Sequence, residues 1–480
     1  MNRRMVLYVV GTVIKIEAVL MLLPLITSII YKESCAVDFL ISIGIALICG
    51  FALTLLSRPG SKVIYAKEGF VIVSLAWLAL SVIGALPFYI SREIPSYIDA
   101  FFETASGFTT TGASILTDIE AMSKGLLFWR SFTHWVGGMG VLVFVMAIIP
   151  TVSDRSIHLL RAEAPGPVVG KILPRMKQTA RTLYVIYIVM TVVEVIFLLA
   201  GEMPLFDSVV HALGTAGTGG FGTKADSIAS YSPYLQWVIT VFMLLFGVNF
   251  NIYYLVLIKR FRTALKSEEL WVYLALFLVS GVAITVNIMP MYASLSESIR
   301  QAFFQVSSIV TTTGYATADF NQWPVFSKTV LLLLMFIGSC AGSTAGGFKV
   351  SRVVLLVKKL KRELQRLLHP RAVATVRFEG KRVDETTLSS LGSYLTIYAL
   401  FFCVVVFILG FDKLDIETNI SAAAACFNNI GPALGAAGPA SNYAMYTPFS
   451  KIVLSLAMLL GRLEIFPLIL TFSPSTWVKK

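Results

Sequence analysis

Ala100-Phe101-Phe102-Glu103-Thr104-Ala105-Ser106-Gly107-Phe108-Thr109-Thr110-Thr111-Gly112 returns 202 residues later as Ala302-Phe303-Phe304-Gln305-Val306-Ser307-Ser308-Ile309-Val310-Thr311-Thr312-Thr313-Gly314, with eight of the thirteen positions identical. Unrelated apolar segments rarely share AFF, a serine and TTTG in register, so the chain carries an internal repeat. Two weaker copies follow the same plan. Asp207-Ser208 through Gly222 aligns when Asp207 is set against Asp99, and Thr418-Asn419 through Pro432 aligns through its glycine. Each copy lies between long apolar spans. Each begins as a helix-like segment of about a dozen residues, too short to cross a bilayer, and ends in a Gly-containing polar stretch. The unit is a span, a re-entrant half-helix, an extended loop and a second span, repeated four times.

The composition agrees with a chain built for lipid. Of 480 residues, 56% are hydrophobic and only 14% charged, with mean hydropathy +0.79. A soluble domain carries roughly 25% charged residues, and disordered, collagen-like and disulfide-scaffold classes are excluded as well. Five cysteines without a CxxC pair suggest neither a disulfide framework nor a zinc site. Apolar runs near 5–30, 36–57, 68–91, 124–150, 181–201, 232–258, 269–290, 327–365, 388–411 and 447–472 read as membrane helices. The run 327–365 is interrupted by Gly338-Ser339-Cys340-Ala341-Gly342-Ser343-Thr344-Ala345-Gly346-Gly347, which has little helix propensity, so a broken helix is expected there. The expected class is an all-α polytopic membrane protein with four tandem repeats around a pseudo-fourfold pore. Its parts are a two-helix piece at 1–66, repeats at 67–150, 181–266, 267–366 and 388–480, and cytoplasmic loops at 151–180 and 367–387.

Charge placement gives the orientation. Clusters at Arg3/Arg4, Arg58/Lys62/Lys67, Arg155–Arg181, Lys259–Lys266, Lys349–Arg382 and Lys479/Lys480 hold 28 of the 39 Lys and Arg residues. Alternate loops instead carry Glu93, Asp99, Glu103, Asp118, Glu120, Glu202, Asp207, Asp319, Asp412, Asp415 and Glu417. The bias of basic residues toward the cytoplasm then puts both termini inside and the acidic loops outside. The net charge of +12 needs no nucleic acid to account for it.

Non-helical backbone at membrane depth is tolerated only where it is buried or lines a water-filled path. Four such stretches suggest four walls of one pore. Each half-helix enters from outside and turns its C-terminal end inward, where the macrodipole favours a cation. The loop after it can turn carbonyl oxygens toward the axis and replace the water shell of an alkali cation. Glycine permits the positive φ such a backbone needs. Neither TTTG nor GTGGFG contains a carboxylate, which suits a monovalent rather than a divalent ion.

The stretches FTTTGAS (108–114), LLRAEAPGP (159–167), GTGGFGT (217–223), VTTTGYA (310–316), GSCAGSTAGGFKVSR (338–352) and NNIGPALG (428–435) together resemble the TrkH-type membrane subunit of the bacterial Trk potassium uptake system, in the Trk/Ktr/HKT superfamily. The resemblance implies potassium as the transported ion, with no organic cofactor. It places ion contacts at Thr110, Thr111, Thr218, Gly219, Thr312, Thr313, Asn429 and Ile430, and filter glycines at Gly112, Gly220, Gly314 and Gly431. It implies an intramembrane gate loop at Gly342, Ser343, Thr344, Ala345, Gly346 and Gly347, facing a pore arginine, Arg462. It further implies a homodimer in the bacterial inner membrane and a cytoplasmic nucleotide-binding regulatory ring of the TrkA type, for which the basic segments 151–181 and 349–382 are our candidate docking surfaces.

An intramembrane charge such as Arg462 is a functional expectation by default. A buried pair with Glu464 or another carboxylate is the structural alternative, although residues two apart face different sides of a helix, which weakens the pairing with Glu464. Gly217-Thr218-Gly219-Gly220-Phe221-Gly222 satisfies GxGxxG but follows a membrane half-helix rather than a strand, so no dinucleotide site is expected. His134 is expected to be packed rather than a ligand. Glu194 stays open between pairing and contact with an ion path. A cation-coupled (H⁺ or Na⁺) symporter is the alternative function, but it would want inverted repeats and midplane ionisable groups. No HExxH or GxSxG speaks for an enzyme.

Overall fold

The computed structural model describes residues 1–59, 64–140, 176–371 and 374–477. The second half of span 124–150, most of loop 151–180 with LLRAEAPGP, and Lys479/Lys480 lie outside the described residues.

The described residues are mostly helical. Among the described residues six helices are long and apolar enough to cross a membrane: Arg3–Ile30, Cys35–Leu56, Lys67–Ile90, Ala180–Ala200, Glu268–Met291 and Glu385–Asp412. The only strands among them form a two-stranded antiparallel hairpin, Arg377–Phe378 with Lys381–Arg382. The first two spans cross closely because both contribute a glycine at the contact. A Cβ on Gly11 would stand 3.0 Å from the Gly50 carbonyl oxygen, and one on Gly50 would stand 3.0 Å from that of Gly11. This piece is tied to the rest through Glu33, whose carboxylate accepts from the Lys124 and Gly125 amides at 2.8 and 2.9 Å. It thereby caps the positive end of helix Lys124–Gly138.

The six long helices coincide with six of the ten expected spans. The other four expected spans follow the half-helices, and none runs straight through. Helix Lys124–Gly138 ends at the Gly137-Gly138-Met139-Gly140 run, with Gly140 at φ +82°. The expected continuous span 232–258 is corrected to Pro233–Phe246 and Phe250–Leu257, bent by 89°. The run 327–365 breaks where its glycines predict, into Val325–Ile337 and Val350–Leu368. The expected continuous span 447–472 is corrected to Pro448–Arg462 and Phe466–Phe472, with Glu464 and Ile465 both at positive φ.

The physical reason is crowding under the half-helices. A Cβ on Gly137 would lie 1.8 Å from the Phe108 carbonyl oxygen, and one on Gly461 2.0 Å from that of Phe427. In the third copy the matching carbonyl, Val310, accepts from Ser339 Oγ at 3.0 Å. In these three copies the second helix presses against the terminal carbonyl of its own half-helix, whereas in the second copy the break at Gly247 packs against Tyr273, Ser339 and Thr311.

Candidate functional site

The four half-helices are Tyr97–Phe108, Leu205–Gly217, Leu295–Val310 and Ile416–Phe427. Local sequence starts three of them with a side-chain cap. Ser96, Ser294 and Asp415 accept from the backbone amides of Asp99, Glu297 and Thr418. In Asp415 these bonds to Thr418, first from its hydroxyl and then from its amide, hold the carboxyl below its ordinary range.

All four helices leave by the same backbone path. Thr110, Thr218, Thr312 and Asn429 lie at φ +56°, +53°, +54° and +56°, and Gly112, Gly220, Gly314 and Gly431 at +79°, +77°, +88° and +101°. A positive-φ residue, one residue outside the positive-φ region and a positive-φ glycine form the shared signature. In a non-glycine residue that geometry costs roughly 1–2 kcal/mol, and here it recurs at each matched position.

The four loops close into a ring. A Cβ on Gly112 would lie 2.0 Å from the Gly219 carbonyl oxygen, and one on Gly220 2.1 Å from that of Thr313. On Gly314 it would lie 2.1 Å from the Ile430 carbonyl oxygen, and on Gly431 2.7 Å from that of Thr111. The order first, second, third, fourth and back to first is cyclic. Backbone oxygens of Thr111, Gly219, Thr313 and Ile430 sit at equivalent places in it. The Thr111 and Thr313 hydroxyls are engaged elsewhere: with Thr109 Oγ1 at 2.8 Å and Thr311 Oγ1 at 2.7 Å. Asn429 Nδ2 also donates to Thr111 Oγ1 and to the Met458 carbonyl, both at 2.9 Å. The side chains of Thr111, Thr313 and Asn429 are thus bonded to other protein groups.

The second copy has Gly219 where the first and third have threonine, and His134 is the reason. A Cβ on Gly219 would stand 2.2 Å from His134 Cγ. The imidazole is fully buried, packs 4.2 Å from the Phe221 ring and donates from Nδ1 to the Gly107 carbonyl at 2.7 Å. It is a packed histidine, as its sequence context suggests.

The chain of 338–349 packs against the ring. Gly346 N donates to Thr312 Oγ1 at 2.7 Å, so this loop touches the left-handed threonine of the third copy. Phe250 N donates to the Gly342 carbonyl at 3.0 Å, and Ser343 Oγ to the Cys340 carbonyl at 2.7 Å. The buried Lys349 ammonium donates to the Ala345 carbonyl. Gly347, at φ +77°, faces Gly338, so closely that an added Cβ would come within 2.9 Å of its Cα.

Arg462 joins this loop to the first copy. Its Nη1 donates to the Thr344 carbonyl at 2.8 Å and its Nη2 to the Gly137 and Gly138 carbonyls at 2.6 and 2.7 Å. Nη1 also lies 3.4 Å from Thr110 Oγ1. The guanidinium thus sits on the negative end of helix Lys124–Gly138, which explains how the charge is tolerated so deep. Glu464 reaches another arginine. That carboxylate pairs with Arg352 at 2.5 Å.

A model of the TrkH family, described as a cation transport protein, matches residues 37–278 and 267–479. The chain belongs to the TrkH family of cation transport proteins. The chain is 36% identical to the Trk system potassium uptake protein TrkH of Salmonella typhimurium and equally to that of Escherichia coli, over 99% of this chain and all of each relative. It superposes on the crystal structure of the potassium transporter TrkH from Vibrio parahaemolyticus with TM-score 0.89 at 32% identity, covering both chains completely. This is a transporter family and not an enzyme family, and the chain is a multi-pass membrane protein.

Against that TrkH background, the sequence missed what braces the ring. Glu103 and Arg130 form a buried pair at 2.5 Å. Glu103 accepts from Ser114 Oγ and from Ile115 N, both at 3.0 Å. Arg130 reaches the Gly222 carbonyl at 3.2 Å and stacks 3.6 Å over the Phe221 ring. Removing one partner of such a buried pair characteristically costs about 3–5 kcal/mol. In the third copy the matched Gln305, with its amide oxygen turned to Thr317 N at 2.8 Å, does the same work without charge. In the fourth, Ser421 Oγ accepts from Leu434 N at 2.9 Å. The repeat offset of 202 contained this signal, because it sets Glu103 against Gln305 and Ile115 against Thr317. Glu194, left open by the sequence, is fully buried on helix Met176–Ala200.

Proposed function

We propose that this chain takes up potassium ions across the bacterial inner membrane, downhill, through the ring of Thr110/Thr111, Thr218/Gly219, Thr312/Thr313 and Asn429/Ile430, spaced by Gly112, Gly220, Gly314 and Gly431. The observation that carries this is the cyclic closure of four left-handed loops through glycine-to-carbonyl contacts. Backbone oxygens without carboxylates match the needs of a dehydrated alkali cation, and the curated relatives are named for potassium uptake. The loop 342–347 and Arg462 form the gate. A fixed positive charge beside the inner threonine opposes cations, and the loop stands in their way while it bonds to Thr312.

The reading includes both termini in the cytoplasm, a homodimer and a TrkA-type nucleotide-binding ring seated on the basic segments 151–181 and 349–382. Helix Val350–Leu368 supports that seat, with exposed Leu360, Leu364, Leu367 and Leu368 among its lysines and arginines. Growth of a potassium-uptake-deficient bacterium at low K⁺ tests the function. Expression with the regulator should restore growth, and a membrane-inserted chain that fails to do so refutes potassium uptake. Neutralising Lys359, Lys361 and Arg366 should weaken capture of the regulator at least tenfold in a pull-down. Unchanged capture removes this segment from the docking surface.

A further inference from the structure

Glu269 stands second in helix Glu268–Ile288 and is 4% exposed. Its Oε1 accepts from Ala341 N at 2.7 Å and from Ser351 N at 3.0 Å. One carboxylate oxygen therefore holds the two stems of the 338–349 loop together. The stems also meet directly, where Val350 N donates to the Ser339 carbonyl at 2.9 Å.

The residue that holds the loop is itself held from outside the bundle. The Glu269 amide and the Ser267 hydroxyl donate to Glu379 Oε1 at 3.2 and 2.9 Å. Glu379 and Gly380, at φ +51° and +74°, form the tight turn of hairpin Arg377–Arg382. Lys358, on the helix that leaves the loop, reaches both the Glu268 carboxylate and the Arg377 carbonyl. A continuous polar chain thus runs from the exposed hairpin turn through Glu379 and Glu269 to both loop stems.

We propose that Glu269 is a positioning residue that clasps the loop across the ion path, and that the hairpin 377–382 is the lever through which a contact on this face loosens the clasp. The proposal rests on the reading of 342–347 as an obstruction. Nothing in it requires Glu269 to touch an ion. Its carboxylate acts only on the backbone amides that fix the loop ends, and the hairpin acts only on the helix end that carries Glu269. Glutamine keeps an oxygen acceptor in the same place, whereas alanine leaves both amides without one.

The test uses the full-length chain in proteoliposomes, with rubidium influx and hydrogen exchange of residues 338–352 read on the same preparations. Glu269→Ala is expected to speed exchange of that segment and to raise basal influx about tenfold, within the range of ordinary coupling between sites. Glu269→Gln should restore both readouts to near the unmodified level. Glu379→Ala, on the exposed turn, should move both the same way by a smaller factor. A folded Glu269→Ala protein with unchanged exchange overturns the clasp, as does faster exchange with lowered influx. If Glu269→Ala does not fold, Glu379→Ala decides, and unchanged exchange at 338–352 overturns the lever. Absence of influx in both the unmodified and the Arg462→Ala proteins would sink the transport reading, while exchange still tests the clasp.

Discussion

Arg462→Ala should leak. In proteoliposomes lacking any regulator, basal rubidium influx is expected to rise by roughly 100-fold. The magnitude follows from charge and distance. Arg462 Nη1 lies 3.4 Å from Thr110 Oγ1, so a cation at the level of that hydroxyl would sit about 6 Å from the guanidinium. At an effective dielectric near 20, two like charges about 6 Å apart repel by about 3 kcal/mol, which is roughly 100-fold in rate. The same change frees the Thr344 carbonyl, and with it the loop's bond to the Pro448–Arg462 helix. Arg462→Lys separates the two effects. It keeps a charge but loses the planar fork that spans Thr344, Gly137 and Gly138 together. Its influx should fall between the other two. Equal influx in the unmodified and alanine proteins would remove Arg462 from the gate.

The second large effect lies in the ring glycines, and it should be graded. Substituting alanine at Gly112, Gly220 or Gly314 puts a Cβ 2.0 to 2.1 Å from a backbone carbonyl oxygen of the next copy. No side-chain rotamer relieves that, so the carbonyl itself must move. At Gly431 the nearest oxygen is 2.7 Å away, so the displacement is smaller. All four also carry the strain of a positive φ. Rubidium-to-sodium influx ratios should collapse toward unity in the first three variants and fall only several-fold in Gly431→Ala. Equal loss at all four would mean that strain rather than oxygen placement governs selectivity. No loss in any would place the ion path elsewhere.

The sequence carried the repeat unit and its register unusually far. The offset of 202 set Thr110 against Thr312 and Gly112 against Gly314, and the structure gives each pair a similar positive φ. Aligning Asp207 with Asp99 likewise set Thr218 and Gly220 in their places. Repetition is legible because it compares the chain with itself. The breaks in 232–258 and 447–472 were not legible. Apolar residues continue on both sides of each break, at Gly247 and after Arg462, so hydropathy alone joins the two pieces into one span.

What the amino-acid order determined by itself was local and periodic: which segments enter lipid, which are too short to cross it, and where glycine and threonine free the backbone for a left-handed turn. Hydropathy and φ preference act within a few residues, so they are written in the chain. Which loop meets which was decided only in three dimensions. Gly219 is small because the His134 ring fills its space, Arg462 rests on a helix end contributed by another copy, and Glu269 ties two loop stems remote from it in sequence. Those contacts join residues tens to hundreds of positions apart, and no local propensity encodes the distance between them.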